Sequence, residues 1–261
     1  MSVLRGLICA LSSFTRIPVP SFNYKDGDMR FMMAMFPLVG VVVGGIVFLW
    51  IWLCELAGIG QLLMAIGVVV LPIAITGGIH LDGYCDVNDA LASHAPMEKK
   101  IAILKDPHIG AFAAIWLGVY LLLSVGVLCE TYLYSWMGSY EVAGILALGF
   151  ILSRCSASFA SLLLPKSASK GMLAARTESA DKRTSCVIVS LIAVLCIAGM
   201  AILDWRRAIF VVAFVALAFG YVALISRKQF GGMSGDVAGY HLQITEFMIF
   251  LALMAAGKVL I

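Results

Sequence analysis

The stretch from Thr76 to Ala90 reads Thr-Gly-Gly-Ile-His-Leu-Asp-Gly-Tyr-Cys-Asp-Val-Asn-Asp-Ala. Asp82, Asp86 and Asp89 stand at i, i+4 and i+7, a spacing that puts all three side chains on one face of a helix. Like charges in that arrangement repel and cost stability unless a cation sits among them. A hard divalent ion such as Mg²⁺ is held by one or two carboxylates plus substrate phosphates, and keeps several of its waters. Asp82, Asp86 and Asp89 are therefore the candidate metal ligands, and phosphate chemistry is the candidate reaction class. Asn88 could serve a partner ion or orient a ligand. Gly77 and Gly78 allow close backbone approach or a bend. The plainer alternative is that the aspartates only solubilise a helix end. Solubilising faces usually mix Lys with Glu, however, and ionisable residues at membrane depth are functional by default.

Three further features bear on the same chemistry. In the run from Ile103 to Gly110, Lys105 could pair with a phosphate, and Asp106 could add a metal ligand or act as a base. The same residues also suit an ordinary helix cap and turn. In the run from Arg227 to Gly239, Gly231, Gly232, Ser234 and Asp236 lie behind Arg227 and Lys228. Repeated glycines let backbone N–H groups converge on an anion. No Gly-Lys-Ser/Thr ending follows, so this is not a Walker loop, and a plain turn fits its composition equally well. Arg154 falls inside an apolar window or near its end. A charge there faces a polar cavity or partner, or it snorkels to the interface. Arg16 has the same ambiguity, with membrane anchoring as its default role. Glu246 either closes a polar pocket or caps the last helix. The four histidines (80, 94, 108 and 241) show no HxxxH or HExxH spacing, and no GxSxG elbow occurs.

The elements that must position these residues follow from composition. Of 261 residues, 62% are hydrophobic and 13% charged, with mean hydropathy +1.02. Soluble domains carry about 45–50% apolar and about 25% charged residues. A soluble enzyme, a disordered chain and a disulfide-stapled module are all excluded, and the apolar runs do not alternate as barrel strands must. The seven cysteines are odd in number, scattered and free of CxxC pairs, which gives neither a disulfide framework nor a zinc signature. The expected fold is an all-α, polytopic integral membrane bundle, one domain over residues 1–261. About seven spans are expected, at 36–57, 62–80, 110–129, 142–164, 186–203, 208–225 and 243–260. Residues 1–14 are too short to span and lack a cleavage site, so an interfacial or re-entrant segment is expected there.

Seven spans sort the loops onto two sides. Fourteen of the eighteen Lys and Arg residues fall on one side, including Lys25, Lys105, Lys170 and Arg176. Basic loops stay inside, so that side is the expected cytoplasmic one, with the N-terminus inside and the C-terminus outside. All four histidines and Asp82, Asp86, Asp89, Asp106 and Asp236 sort to the same side. Trp136 and Trp205 sit like interfacial anchors on the other. Nucleic acid is excluded as a partner, because the basic residues follow the topology and form no aromatic-interleaved groove.

In order along the chain, these stretches resemble the cobalamin synthase family, the adenosylcobinamide-GDP ribazoletransferases of the prokaryotic inner membrane. The resemblance runs through Phe14-Thr-Arg16-Ile-Pro18-Val-Pro20, Phe36-Pro37-Leu-Val-Gly40 and Gly77-Gly78-Ile-His80-Leu-Asp82-Gly83. It continues in Asp86 to Asp89, Lys105-Asp106 with Gly110, Ser153-Arg154, Gly231-Gly232-Met-Ser234-Gly235-Asp236 and Glu246. Tyr84-Cys85 and Pro107-His108 depart from the usual pattern, and no site is carried over from residues 165–184. The resemblance implies that adenosylcobinamide-GDP and α-ribazole, or its 5′-phosphate, give adenosylcobalamin or its phosphate plus GMP, with Mg²⁺ required. It implies metal on Asp82, Asp86 and Asp89, and Asp106 or His80 as the base. It further implies a diphosphate held by Lys105, Arg154 and the 231–236 loop, with Arg16 beside it. Homo-oligomerisation and association with other cobamide-pathway enzymes are compatible with it. CDP-alcohol phosphotransferases order their aspartates differently, with Ala-Arg following, and UbiA-type prenyltransferases need a second Asp-rich motif. An ion-coupled transporter is the alternative from another class.

Overall fold

Every element is a helix because the long apolar runs leave the backbone no other way to satisfy its polar groups in lipid. The computed structural model describes residues 2–20, 26–135, 140–167 and 181–260. Lys25, Trp136, Lys170 and Arg176, used above to sort the loops, lie outside them. In chain order the helices are α1 (Ser2–Phe14), a 3₁₀ turn (Asp26–Phe31), α2 (Met32–Leu56), α3 (Gln61–Thr76), α4 (Ile79–Ala92) and α5 (Met97–Ile103). They continue with α6 (Ala111–Ser135), α7 (Tyr140–Leu163), α8 (Lys182–Phe230) and α9 (Gly235–Val259). Among the described residues there is no strand, only one isolated bridge between Lys166 and Met233. All seven cysteines are free thiols.

Five helices are long and apolar enough to cross a membrane, or six if α3 and α4 are taken as one bent span. This is a multi-pass membrane protein. The longest helix, α8, has 49 residues, about 73 Å at 1.5 Å per residue, more than twice a hydrocarbon core. It breaks at Asp204, whose φ of −159° and ψ of 103° are not helical. Asp204 caps the second arm by accepting from the amides of Arg206 (2.9 Å) and Arg207 (3.3 Å). The arms fold back on one another, since Ala193 and Ile197 line the same cavity as Val212 and Ala216. Counted as two arms, α8 accounts for both windows expected at 186–203 and 208–225.

The centre of the bundle is α2 against α7. A Cβ at Gly40 would lie 2.6 Å from the Phe150 carbonyl oxygen, so the glycine lets the two backbones meet. Helix α9 packs against α4, α6, α7 and α8, while Leu122, Leu195 and Ile202 project outward from α6 and α8. At the end of the bundle away from α4, Lys258 of α9 pairs with Glu130 of α6 at 3.4 Å.

Candidate active site

The helix carrying the aspartates is separate from the span expected at 62–80, which ends at Thr76. It turns from α3 by 99° at Gly77-Gly78. Both glycines are left-handed, with φ of 68° and 80°, a conformation that costs other residues roughly 1–2 kcal/mol. Helix α4 therefore runs at a sharp angle to α3 and packs beside α6 and α9, with Tyr84 against Tyr120 and Tyr240. The bend also recruits Arg16. Its amide donates to the Ile75 carbonyl at 2.8 Å, and its side chain passes over Gly77, where a Cβ would come within 2.6 Å of Nε. On its other flank α4 seats against the start of α9. A Cβ at Gly83 would lie 2.6 Å from the Asp236 carbonyl oxygen. Asp236 is thereby brought beside residues more than 140 positions away in sequence.

The result is a crowd of four carboxylates. Asp82 is exposed, while Asp86, Asp89 and Asp236 are half-buried. Asp86 is crowded by the charges of Asp82, Asp236 and Asp89. Among the described residues no Lys or Arg forms an ion pair with any of the four. Nor do three or more potential ligands already converge at metal-holding geometry among those residues. Oxygen-only donors, mutual repulsion and no protein cation fit a hard divalent ion that takes one or two carboxylates and completes its shell with water or phosphate. Asp89 is directed at Gly110, where any Cβ would strike its carboxylate oxygens.

Asp82 and Asp86 open onto a cleft of about 630 Å³, whose opposite wall is Asp106, Pro107, His108 and Ile109. Asp106 Oδ1 accepts from the His108 amide at 3.0 Å and meets its ring Nδ1 at 2.7 Å. The backbone bond, and next the ring, hold the Asp106 carboxyl below its usual range. An ionised Asp106 keeps the proton on Nδ1 and leaves Nε2 of His108 as an acceptor. The sequence treated His108 only as part of a turn. The Asp-Pro-His spacing, which closes a local side-chain-to-amide turn, was the available signal. Lys105 is exposed on the adjacent turn and does not line the cleft.

Three expectations for diphosphate contacts are corrected. Arg154 neither reaches the cleft nor snorkels. It is 1% exposed, ion-paired to Glu246, and its Nη1 also donates to the Phe150 carbonyl and Ser153 Oγ. Glu246 consequently closes no open pocket and caps nothing; it neutralises Arg154. The 231–232 glycines do not offer their amides to an anion. Those of Gly231 and Gly232 both close the end of α8 on the Ser226 carbonyl, and that of Met233 donates to Pro165. Ser234 caps α9 by accepting from the Val237 amide. What the loop contributes instead is the exposed start of α9, at Gly235 and Asp236, beside Asp82. His80 faces a separate, smaller cavity shared with these residues, and not the cleft of Asp106.

The other face of α4 is aromatic. Tyr84 stacks on Tyr240 at 5.6 Å and tilts against Tyr120, whose hydroxyl donates to Gln243 at 2.6 Å. An apolar cavity of about 650 Å³ lies there, bounded by outward-facing Phe112 and Trp116, with no carboxylate in its wall. Sequence reading also missed Lys100, buried with its ammonium donated to Gln229, which ties α5 to the end of α8.

Residues 6–254 match the family model described as cobalamin-5-phosphate synthase. A protein of Lachnoclostridium phytofermentans named adenosylcobinamide-GDP ribazoletransferase is 35% identical over 261 residues, covering 100% of this chain and 97% of the relative. Proteins of the same name from Shewanella frigidimarina and Clostridium botulinum (strain Alaska E43) are 32% and 30% identical. They cover 95% of this chain, and 93% and 96% of their own lengths. No solved structure matches the chain.

Proposed function

The chain belongs to the cobalamin-5-phosphate synthase family, and we propose from this premise that it is an adenosylcobinamide-GDP ribazoletransferase, as its relatives are named. The substrates are adenosylcobinamide-GDP and α-ribazole or its 5′-phosphate, and the products are adenosylcobalamin or its phosphate and GMP. The 5′-hydroxyl oxygen bonds to the cobinamide-linked phosphorus, the bond from that phosphorus to the bridging oxygen breaks, and GMP leaves with that oxygen. The observation that carries this reading is one cleft with Asp82 and Asp86 on one wall and the Asp106–His108 pair on the other.

Each residue has a task in that transfer. Asp82 and Asp86, with Asp89 behind them, would hold Mg²⁺. When bound, the ion supplies positive charge to the phosphate oxygens as the anhydride breaks. Arg16, exposed at the bend, supplies positive charge for the diphosphate. Asp106 fixes the His108 ring so that Nε2 takes the hydroxyl proton, the division of labour seen wherever a carboxylate orients a histidine base. Of the two base candidates read from the sequence, this retains Asp106 in an orienting role and removes His80. We assign the end bearing α4 to the cytoplasm of an inner-membrane protein, on the bias of fourteen basic residues.

The test is direct. The full chain purified in lipid or detergent, given both substrates and Mg²⁺, releases GMP and forms the joined corrinoid in equal amounts. A folded preparation that releases no GMP refutes the assignment. Uptake of a corrinoid into sealed vesicles without product would favour the transporter alternative.

A further inference from the structure

Beside the cleft, and sharing Ile79 and Asp82 with it, lies a second cavity of about 200 Å³. Its inner end is built unlike the cleft. Phe14 stacks on His80 at 5.8 Å and 21°, and Phe36 tilts against the same imidazole at 5.7 Å. Both ring nitrogens of His80 and the hydroxyl of Ser161 are buried there with no hydrogen-bond partner, at 6% and 0% residue exposure. Buried polar groups are nearly always satisfied, by protein, water or ligand. Two such groups facing one aromatic-walled space suit a ligand that stacks and presents an acceptor nitrogen.

We propose that this cavity is the seat of the fused-ring azole base of the ribazole substrate. The assignment rests on the transfer reaction proposed above and adds where its nucleophile is held. The cavity holds one flat bicyclic ring and is far too small for a corrin. A ribazole base has one free ring nitrogen, an acceptor, and an otherwise apolar outline. That matches one hydroxyl and one neutral imidazole among Phe14, Phe36 and Met33. Guanine would bring several donors and acceptors to a buried end that answers only two. Because Asp82 belongs to both cavities, a ribose attached to the seated base carries its 5′-hydroxyl from the small cavity into the cleft, toward the phosphorus. His80 and Ser161 are thus base-binding residues, and His80 takes no part in proton transfer.

The test is binding read apart from turnover, with α-ribazole and its analogue in which the free ring nitrogen is replaced by C–H. Calorimetric titration of the full chain in detergent should show α-ribazole binding at least about tenfold more tightly than the analogue. Ser161→Ala and His80→Phe should narrow that ratio, and Ala157→Phe, which fills the cavity, should weaken both ligands. In turnover assays the same variants should raise KM for α-ribazole about tenfold and leave KM for adenosylcobinamide-GDP unchanged. Ser161→Ala removes a single oxygen, so it reports even where His80→Phe fails to fold. Equal binding of the two ligands to the wild-type chain, or a rise only in KM for adenosylcobinamide-GDP, overturns the proposal while leaving the reaction assignment standing. A wild-type chain that binds α-ribazole selectively but releases no GMP supports the seat and overturns the reaction.

Discussion

Two clusters of charge lie within this bundle, and they are organised in opposite ways. Arg154 and Glu246 are both almost wholly buried and are paired with each other, the cation further held by the Phe150 carbonyl and Ser153. The aspartates at 82, 86, 89 and 236 are more exposed, crowd together, and have no basic partner among the described residues. A buried pair has already neutralised itself, so its effect is to fix α7 against α9. An uncompensated cluster at an open cleft retains its capacity to bind a cation and phosphate. The difference separates structural from functional charge in a chain with very little of either.

That contrast can be broken experimentally, beginning with the largest effect. Asp82→Ala should lower GMP release by about 10²–10³-fold, the scale of losing one preorganised electrostatic group. Its thermal unfolding in detergent should be unchanged. Arg154→Met should do the reverse. It strands the Glu246 carboxylate and destabilises the fold by about 3–5 kcal/mol, measured by denaturant unfolding. The double variant Arg154→Met with Glu246→Leu should recover most of that loss and retain GMP release. Failure to recover would mean that Arg154 has a role outside its pair.

Intermediate and small effects refine the same division. His108→Asn should cost about 10²-fold in rate, the usual scale for a general base. Gly110→Ala should raise the Mg²⁺ concentration needed for half-maximal rate, since its Cβ displaces the Asp89 carboxylate. The smallest change is at Asp204, distant from the cleft. Asp204→Ala should cost about 1 kcal/mol in stability through the lost helix cap and leave the rate per folded molecule unaltered.

Local patterns survived the comparison with structure best. The i, i+4, i+7 aspartates share one helix face as expected, because that depends only on residues within two turns. The Gly77-Gly78 pair was read as a possible bend, and the 99° turn is there. The 231–232 glycines show the limit. Their sequence suits an anion loop and a helix end equally, and only the positions of the Ser226 and Pro165 carbonyls decide which. For Arg154 the residues leave a polar cavity, a partner or snorkelling open, and the diphosphate is what the resemblance implies. That partner is Glu246, 92 residues later.

By itself, the sequence determined that this is a helical membrane protein, and it sorted Asp82, Asp86, Asp89, Asp106, Asp236 and the four histidines toward one side. Hydropathy and short-range helical spacing are properties of a segment alone. Only the tertiary structure decided which charges remain available. It placed Asp236 beside Asp86, matched Arg154 to Glu246, set the Asp106–His108 turn on the wall facing Asp82 and Asp86, and left His80 and Ser161 unanswered at a buried cavity end. Pairing and desolvation depend on which helices meet and at what depth, and no single segment contains that information.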